Sequence, residues 1–204
     1  MQGSRIQNTQ AFTLIELMVA IGLGMIVMAS VATTFMSQTR TYSAQEQITQ
    51  MEQNARGALD IMAREIKMAG YNPAAVAVTG VVSYTSTSLT IRADIDGNGI
   101  LLVSGYGSET ANEQIAYAYD STNKKITRQV GDGTAETLAE NIDGLTFTYY
   151  QATGTTLATS AGDIRRVKIA ITAKTAKPDP SYPTNGGYRT VDLSATITPI
   201  NLGL

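Results

Sequence analysis

Residues 12–36 read FTLIELMVAIGLGMIVMASVATTFM, a nearly unbroken apolar stretch that contains one acidic residue, Glu16. A helix over this stretch would be about 37 Å long, whereas the hydrocarbon core of a bilayer is about 30 Å thick. The stretch is therefore long enough to span a membrane. The polar residues 1–11 in front of it contain a single basic residue, Arg5.

The helical pattern continues beyond the apolar stretch, in residues 37–70. Apolar residues recur there at intervals of three and four, which predicts an amphipathic helix with one buried face: Ala44, Ile48, Met51, Ala55, Leu59, Met62, Ile66 and Ala69. A neighbouring stripe carries charges at i,i+4 spacing: Glu52, Arg56, Asp60 and Arg64. Because no proline interrupts the two segments, one helix can run through both. Gly70, with Pro73 soon after it, predicts where that helix ends.

From Val76 onward, the spacing of the apolar residues changes towards every second residue. β-Branched and aromatic runs alternate there with clusters of turn residues. This pattern predicts strands at 80–84, 88–93, 114–119, 125–130, 145–150, 166–173 and 190–198. Three of the five prolines lie in 177–188, which predicts a loop between the last two strands. A helix followed by antiparallel strands predicts an α+β fold, with the amphipathic helix on one face of the sheet. The predicted division is 1–11, 12–36, 37–70 and a sheet domain at 71–204.

The composition excludes several classes of function. The chain has no Cys and no His, which removes disulfides, thiolate nucleophiles, zinc–thiolate sites and the usual general base. With a net charge of −2 and no run of Lys or Arg, no nucleic-acid partner is expected. The paired carboxylates Asp94 and Asp96 can in principle bind a catalytic metal, but no nucleophile or base is arranged around them. We therefore predict that the protein is not an enzyme.

The stretch Ala11-Phe12-Thr13-Leu14-Ile15-Glu16-Leu17 resembles the type IV prepilin signature, in which prepilin peptidase cuts before Phe and a Glu stands four residues later. The resemblance covers residues 1–70, with 1–11 as the leader. It implies cleavage between Ala11 and Phe12, although the family usually has Gly where this chain has Ala11, and methylation of the new amine. It also implies a single-pass inner-membrane precursor, with its C-terminal domain outside the cytoplasm, that later enters an extracellular filament.

Glu16 is the single carboxylate of the apolar stretch. An acidic residue within a membrane helix costs about 2.5–3.5 kcal/mol on insertion scales, and such residues are functional by default. Cleavage before Phe12 would create an amine one helical turn away. In pilins a Glu at this place pairs with the N-terminal amine of a neighbouring subunit. The resemblance therefore implies that Glu16 sets the axial register during assembly.

Further segments narrow the resemblance to PilW-like minor pilins: residues 53–72 and the terminal Asn201-Leu202-Gly203-Leu204, with looser similarity at 112–117 and 138–150. The implied function is that of a minor pilin, with prepilin peptidase, other major and minor pilins and the pilus assembly machinery as partners. A minor pseudopilin of a type II secretion system is the alternative with the same leader and fold. A tip-located adhesin or DNA-uptake receptor is another, with the loop around Tyr182 and Tyr188 as its contact surface.

Two interpretations outside this family stay open. An ordinary secretory signal peptide would be cleaved at the small residues Ser30-Val31-Ala32, although its apolar region normally spans about 7–15 residues and lacks an acid. A membrane-anchored exported domain that never polymerises would leave the string FTLIE unexplained.

Residues 94–100, DIDGNGI, match the first half of a calcium loop, in which oxygen ligands alternate and a Gly permits a sharp turn. The candidate ligands are Asp94, Asp96, Asn98 and the carbonyl of Ile100. Gly105 stands where the closing acid belongs, and the next acids are Glu109 and Glu113. No cofactor is required, and Ca²⁺ and a plain hairpin turn both remain open for this loop.

Overall fold

The computed structural model describes residues 12–73, 80–95, 97 and 113–202 of the 204-residue chain. Within these residues one α-helix, α1 (Leu14–Lys67), precedes eight strands. The strands are β1 (Val81–Tyr84), β2 (Ser88–Arg92), β3 (Gln114–Asp120), β4 (Lys125–Val130), β5 (Glu136–Glu140), β6 (Ile142–Tyr150), β7 (Arg166–Lys174) and β8 (Thr190–Ile197). The chain divides into two compact units, Met1–Gln45 and Glu46–Leu204.

In the first unit, the described residues 12–45 contain no buried side chain. The large apolar residues are exposed along the helix, including Leu14, Ile26 and Phe35. By length and composition, this part of α1 is able to cross a membrane. The apolar surface predicted from residues 12–36 is thus present, and the other described residues of this unit do not cover it.

Five hydroxyl groups of the same region are satisfied within the helix. Each of the five donates to a backbone carbonyl three or four residues earlier, at 2.9–3.0 Å: Ser30, Thr33, Thr34, Thr39 and Thr41. Such bonds remove the need for water at each hydroxyl. They suit a helix whose surroundings are apolar, where an unsatisfied polar group is costly.

In the second unit, α1 turns one apolar face into the core. Its buried residues are Met51, Ala55, Ala58, Leu59, Met62 and Ile66. They confirm the predicted face from Met51 onward and add Ala58, whereas Ala44 and Ile48 are only partly buried. The helix ends at Lys67, and Gly70 adopts a φ of 79°, a left-handed conformation that favours glycine. The N–H of Gly70 donates to the carbonyl of Arg92 at 2.8 Å, which joins the helix end to β2.

The strands form two antiparallel sheets, ordered β1-β2-β3-β4-β5 and β6-β7-β8. The predicted strands are confirmed, with the largest boundary difference at β6, which begins at Ile142. No strand was predicted over β5, and the prediction of one sheet did not anticipate two. The buried face of α1 and the inner faces of both sheets share a single core, which includes Met62, Leu89, Tyr117, Ile126 and Ile169. The α+β fold is confirmed.

A polar cluster fixes α1 on the larger sheet. The carboxylate of Glu65 accepts two bonds from the guanidinium of Arg128 on β4, from Nε at 3.0 Å and from Nη2 at 2.7 Å. The hydroxyl of Tyr117 on β3 donates to the same carboxylate. Burial, together with the Glu65 carboxylate, raises the pKa of Tyr117, so this hydroxyl stays protonated and remains a donor. The cluster selects one rotation of the helix against β3 and β4.

Candidate processing and assembly site

The predicted assembly residue, Glu16, lies in the first turn of α1 and is bonded to Thr13. One carboxylate oxygen, Oε2, accepts the backbone N–H of Thr13 at 2.9 Å and its hydroxyl at 2.8 Å. In return, the N–H of Glu16 lies 3.4 Å from the Thr13 hydroxyl oxygen. This reciprocal arrangement is a capping box, in which residues three apart satisfy the free N–H groups of a helix start.

The capping box explains how Glu16 is accommodated locally. A negative charge in the first turn of a helix is favoured by the helix dipole, and the bonds to Thr13 further stabilise the carboxylate. The sequence analysis considered the membrane cost of Glu16 and its pairing with a neighbouring amine, and it missed the role of Thr13. The signal was present, because Thr13-Leu14-Ile15-Glu16 has the Thr-x-x-Glu spacing of a capping box.

The predicted processing residues lie at the edge of the described chain. Phe12 is 88% exposed, directly before the N-cap Thr13. Ala11 lies outside the described residues. The structure therefore places Phe12, Thr13 and Glu16 together at the start of α1.

The predicted calcium loop is described only in part. Asp94 is fully buried, and its Oδ1 accepts the N–H of Gly97, three residues later, at 2.8 Å. The carbonyl of Glu113 accepts the N–H of Ala93 at 3.0 Å, which brings Glu113 beside the start of the loop. The other candidate ligands, Asp96, Asn98 and Ile100, lie outside the described residues, as does Glu109.

Across the described part of the chain, no group of three or more acidic side chains is arranged to hold a metal ion. Two of the acids considered for calcium, Asp94 and Glu113, are nevertheless both buried. Asp94 directly follows Ala93, whose N–H bonds to the Glu113 carbonyl. Calcium binding by 94–100 stays a prediction.

The loop proposed as a contact surface is internally bonded. The guanidinium of Arg189 lies 4.7 Å from the ring centre of Tyr182, and the ammonium of Lys174 lies 4.9 Å from that of Tyr188. Arg189 also pairs with Asp179 at 2.9 Å, which lowers the pKa of that carboxyl. Both tyrosine rings thus already face cations of their own chain, at distances typical of cation–π contacts.

Comparison with known proteins places these features in a family. Residues 6–32 match the prokaryotic N-terminal methylation motif, which confirms the prepilin resemblance of the N-terminus. Residues 44–191 match the family of prepilin peptidase-dependent protein B. A solved structure, a type IV-like pilin from Thermus thermophilus, is similar with a TM-score of 0.48 and 13% identity, over 74% of this chain and 97% of that chain. No curated protein matches. Since the second match covers well over half of the residues, the chain belongs to the prepilin peptidase-dependent protein B family.

Proposed function

We propose that the chain is a minor pilin of a type IV pilus. Prepilin peptidase cleaves it between Ala11 and Phe12, the new amine is methylated, and the mature protein enters or primes an extracellular filament with other pilins. One observation carries this proposal: an apolar helical surface, exposed throughout 12–36, overlaps the prepilin motif matched at residues 6–32. So large an apolar surface needs lipid or the helices of other subunits to cover it.

Glu16 supports the assembly step. In the precursor, its carboxylate is bonded within its own chain to Thr13. After cleavage, the amine of a neighbouring Phe12 supplies a positive charge that the same carboxylate can accept as a partner. The attraction between these two charges is stronger in an apolar filament core than in water, because the dielectric constant there is lower. The carboxylate thereby selects one axial position for the incoming subunit.

The proposed locations follow from the same segment. Before assembly the protein resides in the inner membrane through 12–36, with its C-terminal domain outside the cytoplasm, and afterwards in the filament. The proposal needs no catalytic residue and no cofactor. A minor pseudopilin of a type II secretion system would use the same chemistry. A deletion strain separates the two functions: loss of surface pili supports the minor pilin, and loss of protein secretion supports the pseudopilin.

Processing is tested by intact-mass analysis of the filament-associated protein. The expected chain starts at Phe12 with one added methyl group. Removal of Arg5 changes the basic residues from 15 to 14 against 17 acidic ones, so the mature net charge is −3. A chain that starts at Thr33, or one that retains Met1, would contradict the proposal.

Assembly is tested by replacing Glu16 with Val. We expect membrane residence to be unchanged or improved, because the insertion cost of the carboxylate is gone, while incorporation into sheared filaments is lost. The matched control is Glu52→Val, an acid on the exposed face of the same helix that lies 4.0 Å from Arg56. Normal incorporation of the Glu16→Val protein would remove Glu16 from the proposed mechanism.

A further inference from the structure

The two sheets have four edge strands, and one of them, β8, differs from the rest. An edge strand presents unpaired N–H and C=O groups, which can template pairing with another chain. β1 is only four residues long, and its register with β2 shifts between Val81 and Ser83. β5 carries the charges of Glu136 and Glu140, and the side-chain amide of Asn54 donates to the Glu140 carbonyl at 2.9 Å.

The edge of β6 is covered by other parts of the chain. The N–H of Ile142 donates to the Lys124 carbonyl, and the N–H of Phe147 donates to the Ser86 carbonyl, both at 2.8 Å. At the far end of the strand, the carbonyl of Tyr149 accepts a bond from Ala158 at 2.9 Å. Three of the four edges are thus short, charged or covered, the features by which natural sheets avoid edge-to-edge pairing.

Among the described residues, β8 is less protected than these three edges. It is eight residues long, and it pairs with β7 in a regular register over its whole length. It contains no proline, lysine or arginine. Its one charged residue, Asp192, accepts a bond from the hydroxyl of Thr172 on β7 at 2.6 Å and so is engaged on the sheet.

The pairing with β7 determines which backbone groups of β8 are available. The N–H of Thr175 donates to the carbonyl of Arg189 at 2.9 Å, so odd-numbered residues of this strand bond to β7. Because bonding alternates along an antiparallel strand, the even-numbered residues direct their N–H and C=O groups away from β7. These residues are Thr190, Asp192, Ser194 and Thr196, and all four are exposed.

The sequence of this edge is nearly symmetric. Residues 190–196 read TVDLSAT, and an antiparallel copy centred on Leu193 places Thr opposite Thr, Val opposite Ala and Asp opposite Ser. Even-numbered residues then face even-numbered residues, so the outward N–H and C=O groups bond to each other. A register centred on Asp192 would instead oppose two like charges, which destabilises a strand pair.

The geometry points to a symmetric contact in which β8 pairs with β8 of a second copy of this chain, centred on Leu193. The contact would join two three-stranded sheets into one continuous sheet. Val191, Leu193 and Ala195 are only partly buried against the core, and pairing covers them further. This inference does not depend on filament assembly.

The contact is tested by disulfide trapping of the full-length chain in its native membrane. The chain contains no cysteine, so a single Leu193→Cys substitution introduces the only thiol. In the proposed register the two copies of position 193 form a non-hydrogen-bonded pair with Cα atoms about 4.5 Å apart, within the disulfide range. We expect mild oxidation to give a covalent dimer of twice the chain mass.

Leu138→Cys is the matched control, because Leu138 is also a partly buried leucine on an edge strand. It should form little or no dimer. Two further changes in the Leu193→Cys background test the register. Ser194→Asp places a second negative charge opposite Asp192 of the second copy and should lower the yield of disulfide-linked dimer by about fivefold. Ser194→Lys places a positive charge there and should maintain or raise that yield. Trapping no greater than for Leu138→Cys, a disulfide to a protein of another mass, or equal effects of the two Ser194 variants would overturn the inference.

Discussion

The two halves of α1 have the same backbone conformation but opposite surroundings. Met28, in the first half, is 74% exposed, whereas Met62, in the second, is fully buried. Both segments are apolar and helical, so helix formation alone does not decide burial. In the second half, the apolar residues recur on one face and the sheets cover them. In the first half they occur all round the helix, and nothing in its own unit covers them.

The acidic residues of the two halves show the same difference. Glu16 is satisfied by Thr13, three residues away, whereas Glu65 is bonded to Arg128, which is 63 residues away in the sequence. A local bond forms as soon as the helix starts. The distant bond forms only when the helix packs on the correct strands, so it contributes to the stability of the folded second unit.

The largest expected difference between the halves concerns methionine. Met62→Ala should lower the free energy of unfolding by about 2–5 kcal/mol, because it leaves a cavity in the core. Met28→Ala, the matched change, should leave it within about 0.5 kcal/mol. Denaturant unfolding of the full-length chain in detergent, followed by near-ultraviolet circular dichroism of the tyrosines, measures both. Equal effects would mean that the two halves are not energetically distinct.

The second prediction compares two acids of the helix. Glu65→Ala should cost about 2–3 kcal/mol, because it leaves the partly buried guanidinium of Arg128 and the buried hydroxyl of Tyr117 without this partner. Glu52→Ala breaks only an exposed contact to Arg56 and should cost less than about 0.5 kcal/mol. The same unfolding experiment compares them. A cost for Glu65→Ala as small as that for Glu52→Ala would show that the cluster does not stabilise the fold.

The smallest predicted effect is that of calcium on the second unit. With an incomplete set of ligands, we expect a Kd of about 10⁻⁴–10⁻³ M, and calcium at ten times Kd then adds about 1.4 kcal/mol. Thermal unfolding in EDTA and in about 10 mM calcium measures this gain. Asp96→Ala should abolish it, and this site is preferable to Asp94, which is buried and bonded to Gly97. If calcium stabilises both proteins equally, 94–100 is only a turn.

Local patterns predicted most of the fold. The period of three and four located the buried face of α1, and the period of two located every strand except β5. That strand reads ETLAE, and only Ala139 in it is buried, so its burial pattern has no strong alternation. The division into two sheets depends on pairing between distant segments, which no local pattern encodes. For the same reason the Glu65–Arg128–Tyr117 cluster was not predicted, whereas the Thr13–Glu16 pair was recognisable from its spacing.

The boundary between the two compact units falls inside α1, after Gln45, and every buried residue among those described lies beyond it. A chimera can therefore exchange residues 12–45 for the corresponding segment of a related protein without replacing any of the buried side chains among the described residues. Natural recombination at this point would likewise join a new apolar helical segment to an unchanged folded domain. In evolutionary terms, the helix is a place where two separately selected sequences can be spliced, because the helical backbone continues across the join wherever both sequences favour a helix.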